Sequence, residues 1–132
     1  ALAAFDDPAL VQRVLAMIDD PALALPVRNR LLIGLLERRD TLPAALAHLD
    51  AQKQTLVGTR AGRVLLFTSL LGAPLCSGGD LDRARALGAL LVEYSVVPRA
   101  FLAEHEPGMA ATVRTCTRMR AQHAERVAIF YK

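Results

Sequence analysis

Residues 6–39 read DDPALVQRVLAMIDDPALALPVRNRLLIGLLERR, and this stretch decides the fold. It contains one phrase twice, as Asp7-Pro8-Ala9-Leu10 and Asp20-Pro21-Ala22-Leu23, each ahead of a run of periodic apolar residues. An Asp side chain can accept from the exposed N–H groups of a helix's first turn, and Pro at the first helical position has no N–H to leave unsatisfied. The stretch therefore predicts two short antiparallel helices joined by a tight proline-containing turn, the unit of helical-repeat architectures.

The composition of the chain is that of one helical domain. Its 132 residues are 53% hydrophobic, yet Trp is absent and Tyr occurs only twice, so the apolar content comes from Ala and Leu. Strands favour β-branched and aromatic residues, in which the chain is poor. The charges are too mixed and the apolar content too high for a disordered chain. We expect a single α-helical repeat domain over residues 1–132, excised from a longer polypeptide.

Apolar spacing of three and four residues continues to the end of the chain, and no segment alternates with period two. The sequence therefore predicts six or seven helices in successive antiparallel hairpins and no sheet. Breaks are expected at Gly72-Ala73-Pro74 and at Glu106-Pro107-Gly108. The expected helices are Pro8–Ile18, Leu25–Arg39, one capped by Thr41, Ala61–Leu71, one capped by Asp80, a short one through Phe101–His105, and Met109–Phe130.

The charge balance permits an anionic partner without requiring one, since 16 basic residues face 13 acidic ones. Two cysteines, Cys76 and Cys116, are too few for a disulfide framework. One bridge is possible, but we expect two free, mostly buried thiols in a reducing compartment. The apolar run from Val64 to Cys76 is too short to span a bilayer. With no signal-peptide pattern at the start, we expect a cytoplasmic chain without a membrane partner.

Each of the three histidines is a candidate for chemistry. The segment His105-Glu106-Pro107-Gly108-Met109 resembles a zinc motif only in part, because Met109 replaces the second His and Pro107-Gly108 interrupts the helix such a motif needs. We expect His105 to be solvated at a helix end. His48 has no partner in sequence. His123 follows Cys116 by seven residues, about 10 Å along one helix, which is too far for a nucleophile pair and favours a core or groove histidine.

The loop Cys76-Ser77-Gly78-Gly79-Asp80 could suggest a phosphate site. It lacks the Lys and the Ser/Thr of a phosphate-binding loop and has no preceding strand, so a helix-capping turn is the better interpretation. The chain therefore offers no catalytic, cofactor-binding or metal-binding residue of its own.

The last predicted helix has a basic side. We expect possible groove or partner contacts at Arg114, Arg118, His123 and Arg126. Three interpretations are open: a plain exposed face, an Arg-lined groove that meets peptide carboxylates or a partner domain, and a nucleic-acid surface. Nucleic acid is disfavoured, because Glu125 interrupts the positive field and no aromatic residue interleaves for base stacking.

Several phrases resemble the C-terminal helical domain of zinc aminopeptidases of the alanyl/leucyl (gluzincin) family. Residues 1–15, ALAAFDDPALVQRVL, are similar to that domain's acid-Pro-x-Leu helix start, and Pro26 to Leu36 to the helix that follows. Residues 71–81, LGAPLCSGGDL, resemble the stretch before its last hairpin. Residues 101–108, FLAEHEPG, resemble its closing passage ahead of an Arg-bearing helix.

The resemblance implies an armadillo/HEAT-like right-handed superhelix that closes over the active site of the whole enzyme and restricts which peptides enter. The family's zinc and substrate motifs are absent from this chain, so zinc is expected only in a missing catalytic domain and the chain alone should hydrolyse nothing. The leading expectation is a non-catalytic domain that shapes the substrate chamber and packs on that catalytic domain. The alternatives are a stand-alone protein–protein interaction module and an Arg-rich nucleic-acid-binding domain.

Overall fold

The computed structural model describes residues 7–130 of the chain. Within that range the all-α prediction is confirmed: there are six helices and no strand. Residues 1–6, which open the aminopeptidase-like phrase, and residues 131–132 lie outside the described part. The helices are α1 Pro8–Asp19, α2 Leu25–Leu36, α3 Leu42–Val57, α4 Arg60–Gly72, α5 Gly78–Glu93 and α6 Arg99–Phe130.

The two Asp-Pro-Ala-Leu phrases fold differently. Asp7 caps α1, its carboxylate accepting from the Ala9 N–H at 2.9 Å, and Asp20 makes the same contact to Ala22 at 2.9 Å. The second phrase nevertheless forms a turn and not a helix start. A helix begun at Pro21 would need an N–H from Pro26, which has none and whose ring would clash with the Ala22 carbonyl. Helix α2 therefore begins at Leu25, with Pro26 in its first turn.

Two predicted caps are corrected. Helix α5 is capped by Ser77 and not by Asp80, since the Ser77 hydroxyl accepts from the Asp80 N–H at 3.1 Å. Asp80 lies buried in the first turn, where a carboxylate suits the positive end of the helix dipole. Thr41 does precede α3, but its hydroxyl donates to the Leu35 carbonyl and caps nothing.

The predicted break at Glu106-Pro107-Gly108 is wrong, because α6 runs through it with Pro107 inside the helix. Proline removes one backbone hydrogen bond there, and contacts with other helices hold the segment in place. Glu106 pairs with Arg85 of α5 at 2.7 Å, and Met109 is buried. Tertiary packing thus outweighs the local preference for a break.

The helices stack in chain order. Within the described residues each helix packs on the next one, and α1, α2 and α3 also pack on the helix two places along. Among the described helices, no pair more than two places apart in the chain makes backbone contacts of this kind. The right-handed superhelix remains a prediction. The core is built mainly from fully buried leucines, among them Leu32, Leu46, Leu49, Leu65, Leu66 and Leu87.

Arg28 joins α1 to α2 from inside the fold, although its side chain is charged. It is buried, and its Nε donates to the Ile18 carbonyl at 2.6 Å. The last carbonyls of a helix have no partner inside the helix. Arg28 supplies one to the end of α1 and ties α1 to α2.

Candidate interaction site beneath the last helix

Helix α6 is divided into a packed half and a projecting half. It has 32 residues, which corresponds to about 48 Å. Among the helices, its backbone packs only on α5 within the described residues, and Met109 is the last side chain of α6 to be buried there. Every residue from Thr117 to Ile129 is exposed. We call residues 117–129 the distal arm.

A disulfide between Cys76 and Cys116 fixes the base of the distal arm. The two Cα atoms are 5.2 Å apart, and no cysteine is free. The expectation of two free thiols is therefore wrong. The partners lie 40 residues apart in sequence, and only the folded chain brings the α4–α5 connection beside α6. Disulfides persist in oxidising surroundings, and a cytoplasmic location stays a prediction.

Three hollows adjoin one another among α2, α4 and α6. The first, about 370 Å³, lies between α2 and α4 and is lined by Ile33 and Leu71. The second, about 430 Å³, has Pro74 and Leu75 on one side and α6 on the other. The third, about 350 Å³, lies beside Arg120 on the arm.

Shared lining residues connect these hollows into one surface. The first and second have Glu37 in common, and the second and third have Arg39 and Met119 in common. The connected hollows, which we call the groove, therefore lead from the α2–α4 face to the underside of the arm.

Charged side chains are distributed unevenly along the groove. Arg39, Arg120 and His123 line the arm end, and none of the three makes a hydrogen bond or ion pair within residues 7–130. Glu37 lines the middle. At the α2–α4 end the side-chain oxygen of Asn29 is buried without a donor among the described residues. The arm end thus offers the cations of Arg39 and Arg120, and the middle of the groove offers the Glu37 carboxylate.

The four residues expected to make contacts are all exposed on α6, but the structure does not bring them to one face. Of Arg114, Arg118, His123 and Arg126, only His123 lines the groove. At about 100° per residue, Arg114 and Arg118 fall on the side of α6 opposite Met109. The contacts expected of these four residues stay a prediction.

Arg39 is the groove residue that sequence reasoning missed. It follows α2, more than seventy positions before the arm. In the sequence it reads as a cation suited to the end of a helix dipole. Nothing local indicates that the chain beyond α2 approaches α6, so only the tertiary structure reveals this contribution.

The other histidines are structural. The expectation of a solvated His105 at a helix end is wrong: it is half-buried inside α6, with Nε2 at 3.2 Å from the Leu70 carbonyl and its ring stacked on Phe101. His48 has a partner that the sequence did not indicate, since its Nε2 lies 2.7 Å from Asp19. Among residues 7–130 no three His, Cys, Asp or Glu side chains group as metal ligands would.

The loop after α4 behaves as a capping turn, with Ser77 as the cap. Cys116 is bonded to Cys76 and so presents no thiol to His123. In the described part of the chain, none of the helices has the length and apolar character needed to cross a membrane.

Comparison with known proteins gives no family for this chain: no protein-family model, no curated protein and no solved structure matches it. The aminopeptidase resemblance accordingly stays a prediction. The groove and the exposed arm are the features of the molecule from which a function can be argued.

Proposed function

We propose that this chain is a non-catalytic helical docking domain that presents the distal arm and the groove to a protein partner. The observation that carries the proposal is the exposure of the arm. Met119 is 55% exposed and Ile129 is 74% exposed, on a helix segment in which every residue from Thr117 to Ile129 is exposed.

The physics of helices supports a partner. In water, a helix of about 12–15 residues or fewer is marginal by itself, because most helix stability in proteins comes from packing an apolar face. The arm is of that length and carries apolar side chains at Met119, Val127 and Ile129. Met119 and Ile129 lie within about 80° of each other around the helix, so a partner surface that buries these two would stabilise the arm as a helix.

The leading candidate for the partner is the catalytic domain of a zinc aminopeptidase on the same polypeptide. The resemblance of residues 1–15, 71–81 and 101–108 to that family supports this identity. In this form of the proposal, the domain packs on the catalytic domain and shapes the chamber that peptides enter. Zinc would be held by the catalytic domain and not by this chain.

Two measurements test this form. The purified 132-residue chain, supplied with zinc, should release no arylamine from aminoacyl-arylamide substrates, and turnover by it would refute a non-catalytic role. The polypeptide encoded by the whole reading frame should contain His-Glu-x-x-His upstream of Ala1. In that polypeptide, amides of the arm should exchange with deuterium more slowly than in the isolated chain. Equal exchange would contradict docking through the arm.

A stand-alone interaction module is the second candidate, and the groove favours it. Apolar grooves between helices are a recurring means of binding a segment of another protein. A start codon immediately before Ala1, with no catalytic domain in the frame, would select this candidate. The arm should then gain protection from exchange on binding a separate protein.

A further inference from the structure

We propose that the groove binds a segment of the partner protein in which carboxylates stand next to large apolar side chains. This inference rests on the proposed docking function and specifies the chemistry of the docked segment. It follows from three properties of the groove: its apolar lining, its unpaired cations and the charge of the arm.

The apolar lining calls for apolar side chains on the segment. Pro74, Leu75 and Met119 line the second hollow. Its volume is about 430 Å³, which is in the range of ordinary ligand pockets. In the first hollow Ile33 and Leu71 are 38% and 47% exposed. Burial of these side chains by a partner removes apolar surface from water, which is the main driving force of association.

The unpaired cations call for carboxylates at one end of the segment. Arg39 and Arg120 lie at the third hollow with His123, and none has a partner within residues 7–130. Arg is the side chain that pairs best with a carboxylate, through its fork of N–H donors. Glu37 would repel an acid in the middle of the groove, so the segment must place its acids toward the arm.

The opposite end of the groove fixes the orientation. The side-chain oxygen of Asn29 is buried without a donor among the described residues, and Glu37 lies nearby on the lining. The exposed Glu37 carboxylate accepts hydrogen bonds, so the segment should bring donors, such as Lys, to the side of the groove away from the arm. The acidic end then faces the arm.

Charge argues against a second copy of the chain as the occupant. The arm carries Arg118, Arg120 and Arg126 against the single acid Glu125, so two arms would repel each other. A nucleic acid would meet the cations but has no apolar side chain for the Pro74–Leu75 surface. The arm also offers no described aromatic ring between Thr117 and Ile129 for base stacking.

The three methionines of the chain allow a direct test. With ¹³C-methyl labels, Met119 reports on the groove, Met109 on the core and Met17 on the exposed surface of α1. The probes are synthetic peptides of about 16 residues, or four helical turns. Each peptide has a Leu-rich apolar face. The Glu peptide carries Glu at its C-terminal end and Lys at its N-terminal end, whereas the Lys peptide carries Lys at both ends.

We expect the Glu peptide to shift the Met119 signal and leave the Met17 signal in place. The Lys peptide should bind at least about tenfold more weakly. The double variant R39E/R120E should lose about tenfold in affinity for the Glu peptide and gain affinity for the Lys peptide. R13E/R99E is the matched control, because it makes the same charge change at exposed positions outside both the groove and the arm and should bind as the unchanged chain does.

Four outcomes would overturn the inference. The first is no Met119 shift at millimolar peptide, and the second is an equal loss of affinity in both double variants. The third is a Met119 shift produced equally by inorganic phosphate or a DNA oligonucleotide. The fourth is self-association, seen by sedimentation, that abolishes peptide binding. The proposed docking function has a separate readout. If the arm becomes protected from exchange in the whole polypeptide while the Glu peptide fails to bind, only this inference falls.

Discussion

At the scale of single residues, the sequence predicts which apolar side chains are buried better than it predicts which polar ones are. Leu32, Leu35 and Leu36 of α2 follow the periodic pattern and are buried. Arg28 does not, because its burial depends on the position of a carbonyl ten residues earlier in another helix. Arg39 enters the groove for a similar reason. Partners that are distant in sequence leave no local pattern.

Arg28 is expected to contribute measurably to stability. Arg28→Met keeps most of the side-chain volume but removes the hydrogen bond to the Ile18 carbonyl, which should cost about 1.5–3 kcal/mol. Arg30→Met, on an exposed position of the same helix, should change the free energy of unfolding by less than about 0.5 kcal/mol. Urea denaturation measures both, and equal stabilities of the two variants would contradict the role given to Arg28.

Gly62 is expected to tolerate no side chain. A Cβ there would lie 1.9 Å from the carbonyl oxygen of Leu56, because the start of α4 crosses the end of α3 at this point. Gly62→Ala should therefore destabilise the chain by about 3 kcal/mol or more.

Gly34 provides the comparison for Gly62. A Cβ at Gly34 meets nothing within 4 Å, so Gly34→Ala should stabilise the chain by up to about 1 kcal/mol through helix propensity. Thermal denaturation should move the melting temperatures of the two variants in opposite directions. A neutral Gly62→Ala would show that the α3–α4 crossing is looser than described.

At the scale of elements, the sequence predicts helices well and their ends less well. The predicted starts of α1 and α2 agree with the structure, as does the break at Gly72-Ala73-Pro74. The break at Pro107 fails, because the Arg85–Glu106 pair and the burial of Met109 hold α6 together. Local signals at helix ends give way wherever packing opposes them.

Pro107 is expected to destabilise the folded chain. Pro107→Ala restores an N–H to the interior of α6 at an exposed position, so we expect stabilisation by about 1–3 kcal/mol. Guanidinium denaturation measures the change. Destabilisation by this substitution would indicate that packing contacts of the proline ring outweigh the hydrogen bond that proline removes.

The disulfide should stabilise the connection between α6 and the α4–α5 loop. Replacing both partners, as C76A/C116A, removes a link across 40 residues of sequence, which should cost about 2–4 kcal/mol. Reductant should lower the denaturation midpoint of the unchanged chain toward that of the double variant and leave the variant unaffected. If C76A/C116A had the same denaturation midpoint as the oxidised original chain, the disulfide would have no stabilising role.

At the scale of the whole molecule, the sequence predicts an all-α chain of successive hairpins, and the structure agrees. It could not predict the groove, because three separate segments form it: the end of α2, the loop at Pro74–Leu75 and the arm of α6. The predicted contact set on α6 contained one groove residue, His123. Helical periodicity predicts which face of a helix is buried, but it does not predict which other segments pack on that face.

The central claim is that the distal arm stays exposed among the described residues of this chain and docks on a partner protein. Hydrogen exchange of the isolated chain, followed by mass spectrometry at two protein concentrations, tests it most directly. We predict that amides of residues 117–129 exchange within about tenfold of the rate of an unstructured peptide, while those of α3 and α5 exchange only through global unfolding. Protection of the arm equal to that of α3 and α5, independent of concentration, would contradict the claim.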